Sequence, residues 1–212
     1  MLFYLIRHGE SSYNAEHRLQ GQSNEPVLST RGRQHAQSVA AALAALPIEA
    51  VYSSPLRRAL ETARPVAEAL KLPVVTDDRL KEINIGIFQG LLASEIGERY
   101  PQETASWRSQ DPDYRIPGGE SRRELMRRSE AALRAVRETE FQQVAVISHG
   151  GALAAALKAL LGVPAERNPF TLYNGSISQL EWAGQIKLVT LNQTDHLRLA
   201  GCELATQTGD LA

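Results

Sequence analysis

A run of five apolar residues, Leu2-Phe3-Tyr4-Leu5-Ile6, breaks without transition into Arg7-His8-Gly9-Glu10. A run this short and continuous reads as a strand buried on both faces, the kind from which parallel sheets are built. Two later stretches repeat the pattern. Val51-Tyr52-Ser53-Ser54 runs into Pro55-Leu56-Arg57-Arg58, and Val144-Ala145-Val146-Ile147-Ser148 runs into His149-Gly150-Gly151. In an open α/β sheet, ligands bind just beyond the carboxyl ends of the strands. The three stretches therefore deliver two histidines and several arginines to one end of one sheet.

The intervening chain is helical in period. Ser29 or Thr30 fits an N-cap, and Ala36, Val39, Ala40, Leu43 and Leu46 recur at three-to-four spacing up to Pro47. A second strand over 48–53 is followed by a helix from Pro55 towards Leu70, with a kink or break expected at Pro65. A short third strand over 73–76 follows. A long helix over 121–140 turns Leu125, Ser129, Ala132, Leu133 and Val136 inward, with Glu124 pairing to Arg128. After the strand over 143–148, His149-Gly150-Gly151 opens a helix that stops at Gly162 and Pro164. Segments 177–182 and 185–191, split by Ala183-Gly184, read as a hairpin.

The expected fold is α/β: a three-layer α/β/α sandwich on a mostly parallel sheet of about six strands, with an edge hairpin. The rhythm is lost from 80 to 117, apart from two short helices expected near 94–100 and 102–109. Residues 84–116 are read as a cap-like insertion, a helical excursion over the active site. At 212 residues the whole chain, 1–212, is expected to be a single domain. Residues beyond Leu197 show no periodicity and are expected to be loosely attached.

A formal net charge of -1 argues against non-specific binding to nucleic acid or to a membrane surface, both of which need a basic excess. The lone Cys202 excludes an intramolecular disulfide framework, and no arginine follows it closely enough for a phosphate-cradling cysteine loop. Apolar stretches near 40–46 and 152–161 are too short to span a bilayer, and no secretory signal is read at the start. A cytoplasmic protein is expected.

Arg7 and Arg58 beside His8 and His149 make a site for a dianion, because guanidinium groups engage phosphate oxygens in pairs. Backbone N–H groups at the helix start after His149 add a phosphate contact. A neutral imidazole attacks phosphorus, and neighbouring cations favour the neutral form. His8 is thus a candidate nucleophile, and Glu82 a candidate proton donor to the leaving alkoxide.

The sequence closely resembles the histidine phosphatase superfamily, in the branch that includes the phosphoglycerate mutases. The resemblance rests on Arg7-His8-Gly9-Glu10-Ser11 with Asn14 and Gln20-Gly21, then Ser54-Pro55-Leu56-Arg57-Arg58-Ala59-Leu60-Glu61-Thr62-Ala63. Leu80-Lys81-Glu82 with Gly86 and Gln89-Gly90, Gly118-Gly119-Glu120-Ser121, and Ser148-His149-Gly150 complete it in the family's order. It implies His8 as the phosphorylated nucleophile, Arg7, Arg58 and His149 as the phosphate pocket, and Glu82 as the proton donor. Asn14, Gln20, Gly21 and Gly150 fall at phosphate- or substrate-contacting positions. No metal and no cofactor are implied. The partner is a small phosphate monoester, and a homodimer is left open.

Blander readings accompany several of these residues. Asn14 fits a helix cap as well as a phosphate contact, Glu82 fits an arginine partner, and Glu10 fits pairing with an arginine behind the site. His17, His35 and His196 read as surface residues. Arg122, Arg123, Arg127 and Arg128 read as a solvated helix face from which one member reaches the pocket mouth.

Hydrolase and mutase share their first half-reaction. The compact interval from Gly90 to Gly119, and Gly21-Gln22-Ser23-Asn24 in place of the mutase turn, favour the phosphatase. Gln89, where many phosphatases carry Glu, departs from the pattern. Phe88, Leu91 and Trp107 are apolar candidates for the pocket wall, and Arg108 or Arg115 candidate carboxylate contacts.

Overall fold

The computed structural model describes residues 1–202 of the chain. Strands β1 (Leu2–Arg7), β2 (Ala50–Ser53), β3 (Val74–Thr76), β4 (Gln143–Ser148), β5 (Ile177–Ala183) and β6 (Gln185–Gln193) form one sheet in the order β3-β2-β4-β1-β5-β6. The first four run parallel, and the β5-β6 hairpin pairs antiparallel on the far side of β1. Helices α1 (Ser12–Ala15), α2 (Thr30–Leu43), α3 (Arg57–Leu70), α4 (Ala93–Arg99), α5 (Pro101–Arg108), α6 (Arg122–Arg137), α7 (Gly150–Leu161) and α8 (Asp195–Leu199) complete the described fold.

The pleat sets the layers, because successive side chains on a strand leave on opposite faces. Phe3 and Leu5 of β1, with Val144 and Val146 of β4, pack against Leu133 and Val136 of α6 and Leu153 and Leu157 of α7. Tyr4 and Ile6, with Ala145 and Ile147, pack against Val39 and Leu43 of α2 and Ala63 and Val66 of α3. Each fully buried large aliphatic or aromatic side chain contributes about 1.5–3 kcal/mol, and covering both faces explains unbroken apolar strands in place of alternating ones. This is the three-layer architecture expected from the pattern.

Between β3 and α6 the chain makes two 3₁₀ turns, Asp78–Leu80 and Gly86–Phe88, and then α4 and α5. Ile83, Ile85, Phe88, Ile96, Trp107 and Ile116 form a core of their own, seated on Leu125 of α6 and on Ala152 and Ala155 of α7. Phe88 and Trp107 are buried in this packing. Arg108 and Arg115 are exposed, and Arg115 pairs with Glu124.

Other expectations need correction. The helix α3 runs unbroken through Pro65. Glu124 does not pair with Arg128. It closes a capping box on Ser121, and Arg128 turns instead to Glu120. The arginine cluster is not one solvated face: Arg123 and Arg127 are exposed, whereas Arg122 is buried and Arg128 half-buried. His35 is fully buried, packed against Gly175 by a segment that sequence periodicity does not link to it. His196 is half-buried and bonded to the Gly175 carbonyl, while His17 is exposed. The chain after the hairpin folds back as α8, burying Leu197 completely and placing Cys202 beside Ser38 of α2. The rest of the tail expected to be loose lies outside the described residues.

One contact fixes how closely α2 approaches the loop after β1. A Cβ on Gly32 would lie 1.8 Å from the Glu10 carbonyl oxygen, and one on Gly9 would lie 2.4 Å from that of Gly32. Helix propensity alone favours Gly32→Ala by up to about 1 kcal/mol. Overlap with backbone reverses that sign, so Gly32→Ala is expected to destabilise by about 2–3 kcal/mol. Denaturant midpoints at constant m-value measure this, and an unchanged or raised midpoint contradicts the close approach.

Candidate active site

The register of the central strands assembles the site. Arg7 lies opposite Ser148 and Ser53 opposite Ile147, so β1, β4 and β2 end at one level. The ladder extends one step further, with His8 N–H donating to the Ser148 carbonyl and Ser54 N–H to that of Ile147, both at 2.9 Å. His8, Ser54 and His149 therefore emerge side by side. The two imidazoles meet edge to face with centroids 5.1 Å apart.

Both rings are fully buried. His8 Nδ1 lies 2.7 Å from the Gly9 carbonyl oxygen, which only accepts, so Nδ1 carries the proton. Nε2 then holds the lone pair, and it has no hydrogen-bond partner among the described residues. Gly9 is held in turn by its N–H, which donates to Thr62 Oγ1 at 3.0 Å. His149 Nε2 contacts Ser54 Oγ at 2.8 Å, and its buried Nδ1 has no partner among the described residues.

Arg58, on the first turn of α3, is completely buried, with Nη1 and Nη2 donating to the carbonyls of Ser23 and Gly21. Arg7 is buried at the end of β1 and donates to the Leu172 carbonyl. Arg57, one residue from Arg58, pairs with Glu61 at the surface. Glu10 accepts from Ser29 Oγ and from Arg31, as expected of a carboxylate behind the site.

Glu82 is 2% exposed, and its two carboxyl oxygens accept from Ile83 N–H (2.8 Å) and Gly151 N–H (3.0 Å). Gly150, at the head of α7, directly follows the N-cap His149. Asn14 is buried inside α1, where the N-cap is Ser11 and not Asn14; its Oδ1 accepts from Ser11 N–H, Ser11 Oγ and Asn174 Nδ2, closing the capping box from the third helical position. Gln20 Oε1 accepts from Ser11 Oγ at 2.6 Å. Gly21 has φ +50°, and a Cβ there would strike Ile85 and Gln89.

Several supporting residues escaped the sequence reading. Asn174 Nδ2 donates to the His8 carbonyl as well as to Asn14. Arg128 donates to the carbonyls of Lys81 and Glu82 while held by Glu120. Gln22 Nε2 donates to the Glu82 carbonyl, and Gln22 N–H donates to Gln89 Oε1 at 2.6 Å. An amide oxygen at 89 accepts this bond as a carboxylate would. Glu120 stood within a motif block with no task assigned, Gln22 stood in the turn that replaces the mutase one, and Asn174 stood outside every block. Among the described residues, no three His, Cys, Asp or Glu side chains are grouped as a metal site.

Burial, then Arg58, then Arg7 hold the His8 imidazole well below its usual range. His149 is lowered likewise by burial first, followed by Arg58, His8, Arg128 and Arg7. Both rings are neutral at pH 7.

A model of the histidine phosphatase superfamily (branch 1) matches residues 3–194. The probable phosphoglycerate mutase GpmB of Escherichia coli is 38% identical over 194 residues, spanning 88% of this chain and 87% of that protein. Among solved structures, a mycobacterial glucosyl-3-phosphoglycerate phosphatase in complex with VO3 superposes with a TM-score of 0.83 at 32% identity. That match covers 91% of this chain and 99% of that one. The α-ribazole phosphatase of Shigella flexneri gives 0.85 at 26% identity, covering 91% and 96%.

Protons distinguish the folded from the unfolded chain at these two rings. Below about pH 6.5 the unfolded imidazoles protonate while the folded ones do not, so stability falls as pH drops through that value. Each ring steepens the fall by at most about 1.4 kcal/mol per pH unit, and neither acts above the unfolded pKa. In phosphate-free buffer, His149→Gln is expected to show a shallower loss of unfolding free energy between pH 7 and 5 than the parent. Equal slopes would mean that His149 is protonated in the folded protein.

Proposed function

The chain belongs to the histidine phosphatase superfamily, and from that premise we propose that it hydrolyses a small phosphate monoester through a phosphohistidine at His8. The observation that carries this reading is the His8 tautomer: Nδ1–H is committed to the Gly9 carbonyl, leaving a neutral, buried Nε2 lone pair.

In the proposed reaction Nε2 attacks phosphorus as the bond to the ester oxygen breaks. Arg7, Arg58 and His149 hold the equatorial oxygens, together with the amides at the head of α7. With Ser54 Oγ–H donating to His149 Nε2, the His149 Nδ1–H faces the phosphoryl group as a donor. Glu82 gives its proton to the leaving alkoxide and then takes one from the water that attacks the phosphohistidine. Asn14, Gln20 and Gly21 border the substrate, and residues 84–116 wall its organic part. Buried, preorganised donors are effective here because charge spreads over the phosphoryl oxygens in the transition state.

Phosphoglycerate mutation is the second reading, supported by the name of the GpmB relatives. It shares the first half-reaction and differs in the acceptor, a substrate hydroxyl in place of water. The hydrolase is preferred because the structural neighbours carry phosphatase names and the interval between the Glu82 and Glu120 blocks is short. Release of phosphate from 3-phosphoglycerate without isomerisation, with or without 2,3-bisphosphoglycerate, decides for it. Isomerisation that outpaces release decides for the mutase.

His8→Ala is expected to abolish turnover of para-nitrophenyl phosphate, and appreciable activity in a clean preparation contradicts the nucleophile. Glu82→Gln is expected to slow alkyl phosphates at least tenfold more than para-nitrophenyl phosphate, whose leaving group needs no proton. Equal losses on both substrates remove Glu82 as the acid.

A further inference from the structure

Between the two 3₁₀ turns, the chain that carries Glu82 runs through 81–85 with neither helix nor strand to satisfy its main chain. Backbone carbonyls in such a segment need partners from elsewhere. One side chain supplies several. Arg128 of α6 donates through Nη1 to the carbonyls of Arg79 (2.9 Å) and Lys81 (2.6 Å), and through Nη2 to that of Glu82 (2.8 Å). Its remaining N–H groups go to the Glu120 carboxylate, from Nη2 at 2.5 Å and from Nε at 2.9 Å. A guanidinium has five N–H groups, and here every one is engaged.

Glu120 completes the hold from the other side of Glu82. Its Oε1 accepts from the Asn84 N–H at 2.8 Å, and its own N–H donates to the Asn84 carbonyl at 2.9 Å. The spacing on α6 accounts for the pairing with Arg128. Glu120 precedes the N-cap Ser121, and Arg128 lies about two turns into the helix, where a long side chain leans back towards the N-terminus. The Glu82 carboxyl is fixed at its head by the N–H groups of Ile83 and Gly151. Its base, the main chain on either side, is fixed by Arg128 and Glu120.

We propose that Arg128 is a positioning residue for proton transfer by Glu82: with Glu120 it clamps the main chain on both sides of the acid and so holds the carboxyl in its working place. That role rests on Glu82 being the acid of the hydrolase reading, and adds what keeps the acid there. Proton transfer tolerates little displacement, and a shift of about 1 Å can cost about a hundredfold in rate.

The test uses phenyl phosphate and para-nitrophenyl phosphate, which share a ring and differ in how far the leaving oxygen depends on a proton. In kcat/KM, which includes departure of the leaving group, Arg128→Gln is expected to lose about tenfold on phenyl phosphate and no more than about twofold on para-nitrophenyl phosphate. The field of Arg128 also reaches His149, but a change there acts on both esters alike and cancels in the comparison. Combined with Glu82→Gln, Arg128→Gln is expected to cost less than about twofold more on phenyl phosphate, since the group it acts through is already gone. Losses that multiply in the double variant, or equal losses on the two esters in Arg128→Gln, overturn the positioning role. Arg128→Lys keeps the charge and loses the fork, so it is expected to match Arg128→Gln, and parent-like selectivity there overturns the clamp. If Arg128→Gln does not fold, Glu120→Gln, which weakens the hold on Arg128 and leaves the guanidinium in place, is read by the same two comparisons. Failure of the hydrolase reading looks different. The parent then releases no phosphate from either ester, or Glu82→Gln loses equally on both, and the positioning role falls with it.

Discussion

Everything at the candidate site depends on β4 being hydrogen-bonded between β1 and β2. Parallel neighbours must end at the same side of the sheet, and here the register makes them end at the same height. Segments separated by more than 90 residues thereby share one floor. A one-residue slip of β4 against β1 would send Val144 and Val146 to the wrong face, so core packing and site geometry enforce the same pairing.

The second condition is electrostatic. Two guanidinium groups and two imidazoles are withdrawn from water together, a costly arrangement if all four were charged. Main-chain carbonyls of Gly21, Ser23 and Leu172 accept from the guanidinium groups. The rings respond by staying neutral. His8 is thus an uncharged imidazole within the fields of the Arg58 and Arg7 guanidinium groups.

Much of this was legible in the sequence because strand ends and motif blocks coincide. Apolar runs gave β1, β2 and β4, and the residues terminating them are those the structure brings together. The Ser121 cap, the Gly162 stop and the hairpin at Gly184 followed from local chemistry. What was missed depends on contacts between segments that no local pattern connects. His35 looked exposed because it packs against Gly175, a distant residue that no local pattern links to it. The four arginines of α6 looked alike because only the packed excursion separates Arg122, stacked on Trp107, from Arg123. Pro65 interrupts a ladder of hydrogen bonds, yet α3 is held along its length by the sheet beneath, and tertiary packing prevailed over local propensity.

The turn that precedes β5 carries a further implication. Gly175 N–H contacts the carbonyls of Arg7 and His8, Asn174 secures the latter, and the Ser176 carbonyl accepts from Arg7 N–H. Every motif block is complete by residue 150, yet the peptide bearing His8 is clasped by residues 172–176. The backbone at His8 therefore gains these hydrogen bonds only once residues 172–176 have been synthesised, late in the emergence of the chain.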